Sequence, residues 1–528
     1  MSQARGAAVL IVGGGAVGVS TTHHLVEEAI AARVAEQVSI TLVERRPAVG
    51  PGIAYEADVE TNLLNTRAAG ISAIHGNKPH FYEWLRQNEA VWRPSFPRVR
   101  LAPSAFLPRA LFGLYLQDLV RTLGERARRA GIDFTVRRDD IVDIARLGEQ
   151  FHAATASGAT LRADVVMLCC GHAPHEPYPQ FARLEKYASN PYPIWRLLQR
   201  IDDDDDVIVV GSRLSAIDVA IALLGRSGYR GAIKLVSRGG RLPAVRGSQE
   251  PHVLRHIVRD VIRRLAGERG GLRLEDVLEL CRIEAESNGV PFAWDEIRRP
   301  GVDPRSAFLD EIYLSADRPR PWQGIVYAMN EVIDEVWRGL REDEKQKLVA
   351  LKSEFLAHRV SIPIENACII ARALAQGRAT LYGGLERLGF DDASARFRAT
   401  LRVREANDVV VSGAALINAT GFDGSNALRS PLLQALHSRG LLRPHRHGGI
   451  DVEFESGRMI ASSGAVQPDL FAIGSLTSGV HFFTSALDIN VRHAARSVHE
   501  AVIFLARRVR YVDEPARHPV FSTIGVNA

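Results

Sequence analysis

The sequence lacks the features that mark membrane-bound, secreted or nucleic-acid-binding proteins. No apolar run approaches the ~20 residues of a membrane span, and the first strand pattern has no secretory leader before it, so we expect a cytoplasmic protein with no membrane partner. The 66 Lys and Arg residues are scattered among 61 Asp and Glu residues, and the net charge of +5 argues against a nucleic-acid partner. The few cysteines form no C-x-x-C pair, which disfavours a disulfide framework, a structural zinc site and a dithiol reductase; they are Cys169, Cys170, Cys281 and Cys368.

A glycine-rich turn near the start is the strongest motif. The apolar run Val9–Val12 enters a G-x-G-x-x-G pattern at Gly13, Gly15 and Gly18, and a helical pattern follows. A second β-branched run ends in Glu44, where a carboxylate can accept hydrogen bonds from ribose hydroxyls. Such a turn brings the backbone and a helix N-terminus to a pyrophosphate. The motif therefore predicts a dinucleotide site formed by Gly13, Gly15, Ala16, Val17, Gly18, Glu44 and Arg45.

A second turn of this kind follows the apolar run at 207–210. Ser237 and Arg238 stand where the first unit has its acidic residue, and a hydroxyl with a guanidinium suits a 2′-phosphate, which predicts NADPH rather than NADH. Arg213 stands where the middle glycine belongs, and it either obstructs the pyrophosphate or neutralises it. The residues predicted to bind this nucleotide are Gly211, Ser212, Arg213, Leu214, Ser237, Arg238 and Arg241.

The chain of 528 residues is long enough for two or three domains, and its strand pattern repeats. A strand, a meander and a return strand ending in glycine occur near 134–171 and again near 379–421. We therefore predict an α/β fold with two Rossmann-like dinucleotide-binding domains, the second inserted in the first. A helical insert at 246–376 serves as a substrate roof or an oligomer surface. The predicted boundaries are 1–200 and 396–528 for the first domain, 201–245 and 377–395 for the second, and 246–376 for the insert.

Several segments, taken together, resemble one known family. They are the turn at 13–18, Gly50–Tyr55, Asn62–Asn65, Val210–Gly211 with Asp218, Ser237–Arg238, Ala419–Gly421 and the tail around Gly474. The family is a bacterial FAD/NAD(P)-binding family related to the flavin-dependent N-hydroxylating monooxygenases, with a branch that resembles nitrosuccinate-forming aspartate N-monooxygenases. The resemblance implies FAD in the first domain and NADPH in the second. It adds predicted cofactor contacts at Gly52, Ala54, Tyr55, Leu64, Asn65, Gly171, Thr420, Gly421, Gly474 and Gly479.

The chain departs from the family's pattern in two places. Cys169-Cys170-Gly171 replaces the usual Ala-Thr-Gly at the end of one strand, and Arg67 stands where a proline or small residue is expected. Arg67 is a candidate clamp for a substrate carboxylate, and Lys78 and Arg359 are further candidates for an anionic substrate. The alternative is an arginine that faces solvent or a phosphate.

The segment after Gly474 is similar to one that brings a helix N-terminus to the flavin ring in FAD proteins with two dinucleotide sites. The partial positive charge of the helix end then favours the reduced, anionic flavin. We predict catalytic residues in this segment at His481, Thr484, Asp488 and Asn490, with His481 as a proton shuttle. The alternative is that all four cap the helix or hydrogen-bond the flavin.

The resemblance implies an enzyme, an NADPH-dependent FAD monooxygenase that N-hydroxylates a small amine or amino acid with O2 through a flavin C4a-hydroperoxide. Two alternatives stay open: an NAD(P)H-dependent flavin reductase or dehydrogenase with an organic acceptor, and a non-catalytic FAD-bound redox sensor. The histidines show no ligand spacing, so we expect no metal. A homodimer is considered for the assembly.

Overall fold

The computed structural model shows an α/β protein with two largely parallel sheets and two small antiparallel meanders. The described residues are 6–171, 176–248, 251–290, 297, 301–317, 319–402, 408–421 and 427–513. The strands are β1 (Ala7–Val12), β2 (Val38–Glu44), β3 (Asp133–Arg138), β4 (Ile141–Leu147), β5 (Gln150–Thr155), β6 (Thr160–Ala163), β7 (Val165–Leu168), β8 (Tyr187–Ala188), β9 (Val207–Val210), β10 (Ile233–Val236), β11 (Ala379–Tyr382), β12 (Leu385–Asp391), β13 (Arg396–Leu401), β14 (Val409–Gly413), β15 (Ala415–Asn418), β16 (Arg458–Ile460) and β17 (Val466–Ala472).

The helices of the described residues flank the sheets and fill the range between β10 and β11. They are α1 (Ala16–Ala31), α2 (His80–Gln87), α3 (Glu89–Trp92), α4 (Arg109–Arg129), α5 (Ile194–Leu198), α6 (Leu214–Gly225), α7 (Arg259–Glu268), α8 (Leu274–Glu286), α9 (Pro304–Asp317), α10 (Pro321–Ala328), α11 (Ile333–Gly339), α12 (Glu342–Arg359), α13 (Ile364–Ala375), α14 (Pro431–Ser438), α15 (Ser478–His481) and α16 (Leu487–Asp513). Within these described segments, no helix combines the length and the apolar character that crossing a membrane requires.

The first sheet has the strand order β16-β17-β7-β1-β2-β3. Its centre is the apolar strand β1, which pairs in parallel with β2 and β7. Apolar side chains of α1 and α16, such as Leu25 and Val498, pack with Val9 and Ile11 in one buried cluster. The carboxyl ends of β1, β2 and β7 therefore meet where α1 begins, which is the edge at which parallel sheets bind ligands.

The predicted repeat and the predicted insertion are confirmed. Strand β3 is followed by the meander β4–β6 and the return strand β7, and β11 is followed by the meander β12–β14 and the return strand β15. The second sheet has the order β11-β10-β9-β15-β8, and it lies in sequence between β7 and β17, which are neighbours in the first sheet.

The predicted boundaries of the second domain are too narrow. Strand β8 pairs with β15, and β15 pairs with β9, although β8 and β15 fall inside the ranges predicted for the first domain. The meander β13–β14 leads directly into β15 and belongs with it. Strands that pair across such long stretches of sequence share no local sequence pattern. The apolar pattern of a strand therefore predicts that a strand forms, but not which of the two sheets it joins.

The range 246–376 is helical in its described parts, as predicted, and it packs against the tail of the chain. The insert residues Met329 and Trp337 share a buried cluster with Phe482, Phe483 and Ile489, which lie before and in α16. This contact favours the roof alternative for the insert, since the tail is the segment predicted to approach the flavin.

Candidate active site

The first glycine-rich turn fits tightly against the end of strand β7. Gly13 has φ +101°, and a Cβ placed there would lie 2.6 Å from the carbonyl oxygen of Cys169. A Cβ at Gly18 would lie 1.9 Å from the carbonyl oxygen of Gly13. Only glycine fits these two positions, because one needs a left-handed backbone and the other a direct helix contact.

The middle glycine of this turn lies against the backbone of another glycine, with no side chain between them. Gly15 is the N-cap of α1, whose first turn has neither a side-chain cap nor an acidic residue, so its N–H groups are available to an anion. Gly52 lies opposite: a Cβ on Gly15 would be 3.5 Å from the Gly52 Cα, and a Cβ on Gly52 would be 3.3 Å from the Gly15 Cα. Two facing glycines leave a cradle without side chains, which fits a dinucleotide pyrophosphate.

Glu44 lies at the end of β2 and is bound to the turn itself. Its buried carboxylate accepts hydrogen bonds from the backbone N–H groups of Gly14 at 2.7 Å and Arg46 at 2.8 Å. The exposed Arg45 lies next to it. After β7, Gly171 has φ +67° and open space around a Cβ, so it borders the same edge. The ribose role of Glu44 and the cofactor roles of Arg45 and Gly171 stay predictions.

The paired cysteines that replace the family's Ala-Thr are packed into the first domain. Burial raises the pKa of the Cys169 thiol to about 12, and it lies 3.4 Å from the Thr21 hydroxyl. Burial likewise raises the pKa of Cys170 to about 11. Neither thiol forms a reactive thiolate near neutral pH.

The predicted cofactor loop consists of segments 50–55 and 62–65. The N–H of Gly50 donates to the carbonyl of Gly14 at 2.7 Å, which ties the loop to the turn. Ala54 is exposed, and the ring of Tyr55 packs on helix α4. Leu64 is buried, and its N–H donates at 2.8 Å to the chain just before α4. Both segments are therefore fixed beside the first turn.

The second turn repeats the geometry of the first. Gly211 has φ +126°, and a Cβ there would lie 2.7 Å from the carbonyl oxygen of Ala419. Gly211 thus lies against the end of β15 in the same way that Gly13 lies against the end of β7. Helix α6 starts at Leu214 with no side-chain cap and no acidic residue in its first turn. Its N-terminus can therefore also receive a phosphate.

The contact between Gly211 and the end of β15 corrects one assignment. Thr420 and Gly421 follow β15, and the Thr420 nitrogen lies 3.5 Å from a Cβ at Gly211. These residues, predicted as cofactor contacts within the range 396–528 of the first domain, lie at the second turn because β15 belongs to the second sheet. Gly421 has φ +85° and open space around a Cβ, as Gly171 has in the first domain.

The side chain of Arg213 leaves the second turn and reaches the insert. Its Nη2 donates to the hydroxyl of Ser353 on α12 at 2.7 Å. Burial lowers the pKa of Arg213, and its buried Nη1 has no hydrogen-bond partner among the described residues. The guanidinium therefore does not fill the turn, and its neutralisation of a phosphate stays a prediction.

Ser237 takes the place that Glu44 has in the first domain. Its hydroxyl lies 3.0 Å from that of Ser212 in the turn, and the Ser212 hydroxyl donates to the carbonyl of Arg241 at 2.6 Å. Arg238 follows as an exposed residue. An exposed guanidinium beside a hydroxyl suits a phosphate monoester, and the selectivity for NADPH stays a prediction.

The tail runs from the first turn to the start of helix α16. A Cβ at Gly474 would lie 3.5 Å from the side chain of Val17, so the tail begins beside the first turn of α1. Asn490 reaches back, and its Nδ2 donates to the carbonyl of Thr484 at 2.9 Å. Both residues are buried and hold the bend before α16, which favours the capping alternative for them. Asp488 is exposed in the first turn of α16.

Two other residues predicted in the tail are packed against neighbouring segments of the chain. His481 is 2% exposed, and its ring nitrogens lie 3.0 Å from the Thr477 hydroxyl and 3.0 Å from the Phe454 carbonyl oxygen. Burial lowers the pKa of His481 to about 3, so this neutral, fully engaged imidazole does not suit a proton shuttle. A Cβ at Gly479 would lie 2.2 Å from the Gly448 carbonyl oxygen, so this position requires glycine, and its cofactor role stays a prediction.

Two arginines from different parts of the chain lie over the ring of Tyr327, and the charge of a third acts on one of them. The guanidinium carbons of Arg246 and Arg359 lie 3.7 Å and 4.4 Å from the centre of its ring. Burial lowers the pKa of Arg246 to about 10, and the nearby charges of Arg359 and Arg67 add to this shift. Arg246 also donates to the carbonyl of Asn65 at 2.9 Å, so this arginine cluster (Arg67, Arg246 and Arg359) borders the cofactor loop.

Asn330 joins the arginine cluster to the tail helix. Arg359 Nη2 donates to Asn330 Oδ1, and Asn330 Nδ2 donates to Asp488 Oδ2 at 2.8 Å. Burial raises the pKa of Tyr55 to about 12, and the charge of Asp488 adds to this effect, so Asp488 lies near the cofactor loop. The structure therefore brings Arg67, Arg359 and Asp488 into one region, although they are far apart in sequence.

Lys78 lies at the surface of this region, with a 67% exposed side chain 3.9 Å from Glu331. Such a solvated ion pair contributes little to the stability of the fold.

Sequence reasoning missed Arg246, Tyr327 and Asn330, because they come from the insert and belong to no motif. Proximity in the folded chain is what identifies them.

A buried ion pair connects the first domain to the second. Arg109, the first residue of α4, lies 2.9 Å from Asp218 of α6, and Tyr192 donates its hydroxyl to Asp218 at 2.8 Å. The Nε of Arg109 donates to the carbonyl of Leu63 in the cofactor loop at 3.0 Å. Burial raises the pKa of Asp218, while the charge of Arg109 opposes that shift.

Comparison with known proteins agrees with this architecture. Residues 10–173 match a family whose model is described as FAD-NAD(P)-binding. No curated protein matches the sequence significantly.

Several solved structures share the fold over nearly the whole chain. An ornithine N-hydroxylase from Kutzneria sp. 744, whose title names reduced FAD, NADP+ and L-ornithine, is 16% identical with a TM-score of 0.55, and the match covers 95% of this chain and 99% of that one. An L-lysine 6-monooxygenase from Pseudomonas syringae is 16% identical with a TM-score of 0.51, covering 97% and 100%. An FAD-bound cadaverine monooxygenase from Erwinia amylovora is 12% identical with a TM-score of 0.51, covering 98% of each.

Residues 10–173 therefore carry the match to the FAD-NAD(P)-binding family, and the chain as a whole has the two-domain Rossmann-type fold of the N-hydroxylating flavin monooxygenases.

Proposed function

We propose that this protein is an NADPH-dependent FAD monooxygenase that N-hydroxylates a small amine or amino acid. The observation that carries the proposal is the chain of contacts from Arg359 through Asn330 to Asp488 beside the cofactor loop. Arg359 is a cation that can pair with a substrate carboxylate, and Asp488 is a carboxylate that can pair with a substrate amine. The contacts through Asn330 connect the two next to the first nucleotide turn. The similar ornithine, lysine and cadaverine enzymes also act on amines by their titles.

The residues of both turns fit the two cofactors. The facing glycines Gly15 and Gly52 keep the uncapped start of α1 free of side chains, which suits the pyrophosphate of FAD, with Glu44 near its ribose. The start of α6 with Ser237 and Arg238 suits NADPH. When bound, the two cofactors supply hydride transfer and the activation of O2. The overall reaction converts the amine, O2, NADPH and a proton into the hydroxylamine, water and NADP+: an N–O bond forms, the O–O bond breaks and NADPH is oxidised.

The role of the chain is to bind the amine, orient it and keep it unprotonated. Arg359, with Arg67 nearby, pairs with a substrate carboxylate. The positive charges of the arginine cluster lower the pKa of a nearby ammonium group, and Asp488 is the nearest proposed acceptor for its proton. The insert side chains that pack on Phe482 and Phe483 exclude water from this region.

A reduction experiment tests the proposal at the cofactor level. The purified protein is expected to hold FAD, and NADPH is expected to bleach the flavin under nitrogen. Failure of NADPH to bleach a flavin that is bound would favour the redox-sensor alternative. Reoxidation that gives only hydrogen peroxide with every amine tested would favour the reductase alternative.

A further inference from the structure

The insert encloses an apolar cavity that a small polar amine does not require. Its volume is about 170 Å³, and it lies between α8, α10, α11 and α12. Most lining side chains are apolar, and those at its floor are buried, among them Cys281, Met329, Ile333, Val336, Trp337 and Phe482. The ring of Phe482 stacks on Trp337 at 4.7 Å, so the tail forms part of the wall.

The cavity has a mouth on the protein surface. Leu278 of α8 and Leu351 of α12 line it and are 38% and 46% exposed. An apolar cavity of ~150 Å³ stays dry and is large enough to bind benzene. The cavity in the insert can therefore take a phenyl or branched alkyl group from solvent.

One end of the cavity carries a buried cation. Arg359 lines the cavity and is 3% exposed, and its buried Nε has no hydrogen-bond partner among the described residues. Glu354 and His358 are the other polar residues of the lining. An unsatisfied buried N–H is unfavourable, and a carboxylate at this end would satisfy it. The opposite side of Arg359 leads through Asn330 to Asp488.

We propose that the cavity selects the substrate: it binds the apolar side chain of an α-amino acid, while Arg359 binds the carboxylate. This inference rests on the proposed function, and it names an aromatic or branched aliphatic amino acid as the amine that is hydroxylated. Aspartate would place a second carboxylate in this mostly apolar lining beside Glu354, which is unfavourable, and the polar side chain of ornithine would gain little from the apolar walls.

Ligand binding to the FAD-loaded protein tests the cavity without any oxidation. Phenylpropionate has the carboxylate and the phenyl group but no amine, and succinate has a second carboxylate in place of the ring. Calorimetry is expected to show phenylpropionate binding about 10- to 100-fold tighter than succinate, which corresponds to burial of one phenyl group. Equal affinities would overturn the proposal.

Two surface variants on the same helix provide a matched comparison. Leu351 and Val349 are 46% and 44% exposed, but only Leu351 lines the cavity. Leu351→Glu is expected to weaken phenylpropionate binding at least tenfold, and Val349→Glu is expected to leave it unchanged. If Leu351→Glu alters only the oligomeric state and not this affinity, the mouth is a contact between copies of the chain and the proposal is wrong.

Product analysis separates this inference from the proposed function. L-Phenylalanine and L-leucine are expected to gain one oxygen atom, and L-aspartate and L-ornithine are not. Hydroxylation of L-aspartate without phenylpropionate binding would overturn the cavity assignment and leave the monooxygenase proposal standing. Tight phenylpropionate binding with no amine oxidised would support the cavity and overturn the monooxygenase proposal.

Discussion

Replacing Gly15 with alanine tests whether the first turn holds FAD. The added Cβ would lie 3.5 Å from the Cα of Gly52, an ordinary contact, so the fold is expected to persist. The methyl group would nevertheless add a side chain at the N-cap of α1, where the pyrophosphate is expected to meet the backbone N–H groups. Losing a hydrogen bond to a charged group costs about 1.5–3 kcal/mol, so the Kd for FAD should rise about 10- to 100-fold.

The assay is titration of the apoprotein with FAD, followed by flavin fluorescence. Gly225→Ala is the matched control, because Gly225 ends helix α6 and has nothing within 4 Å of an added Cβ. Gly18→Ala is the opposite case, since its Cβ would lie 1.9 Å from the Gly13 carbonyl oxygen, and it should lower Tm. If Gly15→Ala binds FAD as tightly as the unchanged protein, the turn at Gly15 is not the pyrophosphate site.

Three further substitutions examine the second turn, the link to the tail helix and a buried charge. Arg238→Ala should raise KM for NADPH about tenfold with little effect on NADH, since only NADPH has the 2′-phosphate; equal effects in steady-state kinetics would contradict the assignment. Asn330→Ala should lower kcat/KM for the amine about tenfold, because it breaks the link from Arg359 to Asp488, and should leave the Kd for FAD unchanged; unchanged kcat/KM would remove Asn330 from the site. Although burial opposes the shift, the hydrogen bond from His493 and the charge of Arg492 hold the pKa of Asp334 below its usual value. A depressed pKa of Asp334 stabilises the folded state above the unfolded-state pKa of about 4, and this stabilisation is lost as the pH falls below that value. The free energy of unfolding, measured with denaturant at pH 2–6, should therefore depend less on pH in Asp334→Asn. An identical slope of this free energy against pH would contradict the assignment.

The two nucleotide turns and the repeated strand pattern were predictable because their signals are local. Gly13 and Gly211 each follow an apolar strand and precede a helix, and the structure gives both the same left-handed backbone against a return strand. The domain boundaries were less accurate because β8 and β15 are assigned by pairing partners far away in the sequence.

The direction of single side chains could not be predicted from the turn patterns. Arg213 replaces a glycine, and only the position of Ser353 on the insert shows that its guanidinium leaves the turn. His481 and Gly479 lie in the predicted segment, but they are enclosed by Phe454 and Gly448 from a separate loop.

The candidate substrate region was predictable only in part. Arg67 and Arg359 were identified by their charge, and Asp488 by its place in the tail. Arg246, Tyr327 and Asn330, which connect them, carry no sequence signal, since their role depends on how the insert packs over the tail.

The stoichiometry of a single NADPH-limited turnover with O2 tests the central claim most directly. The FAD-loaded protein is mixed with NADPH, O2 and a panel of amino acids and amines, and the hydroxylated product and hydrogen peroxide are quantified by mass spectrometry and a peroxide assay. We predict that at least one amine yields a hydroxylamine in proportion to the NADPH oxidised, with little peroxide. Peroxide equal to the NADPH oxidised with every amine, and no gain of oxygen in any of them, would contradict the account.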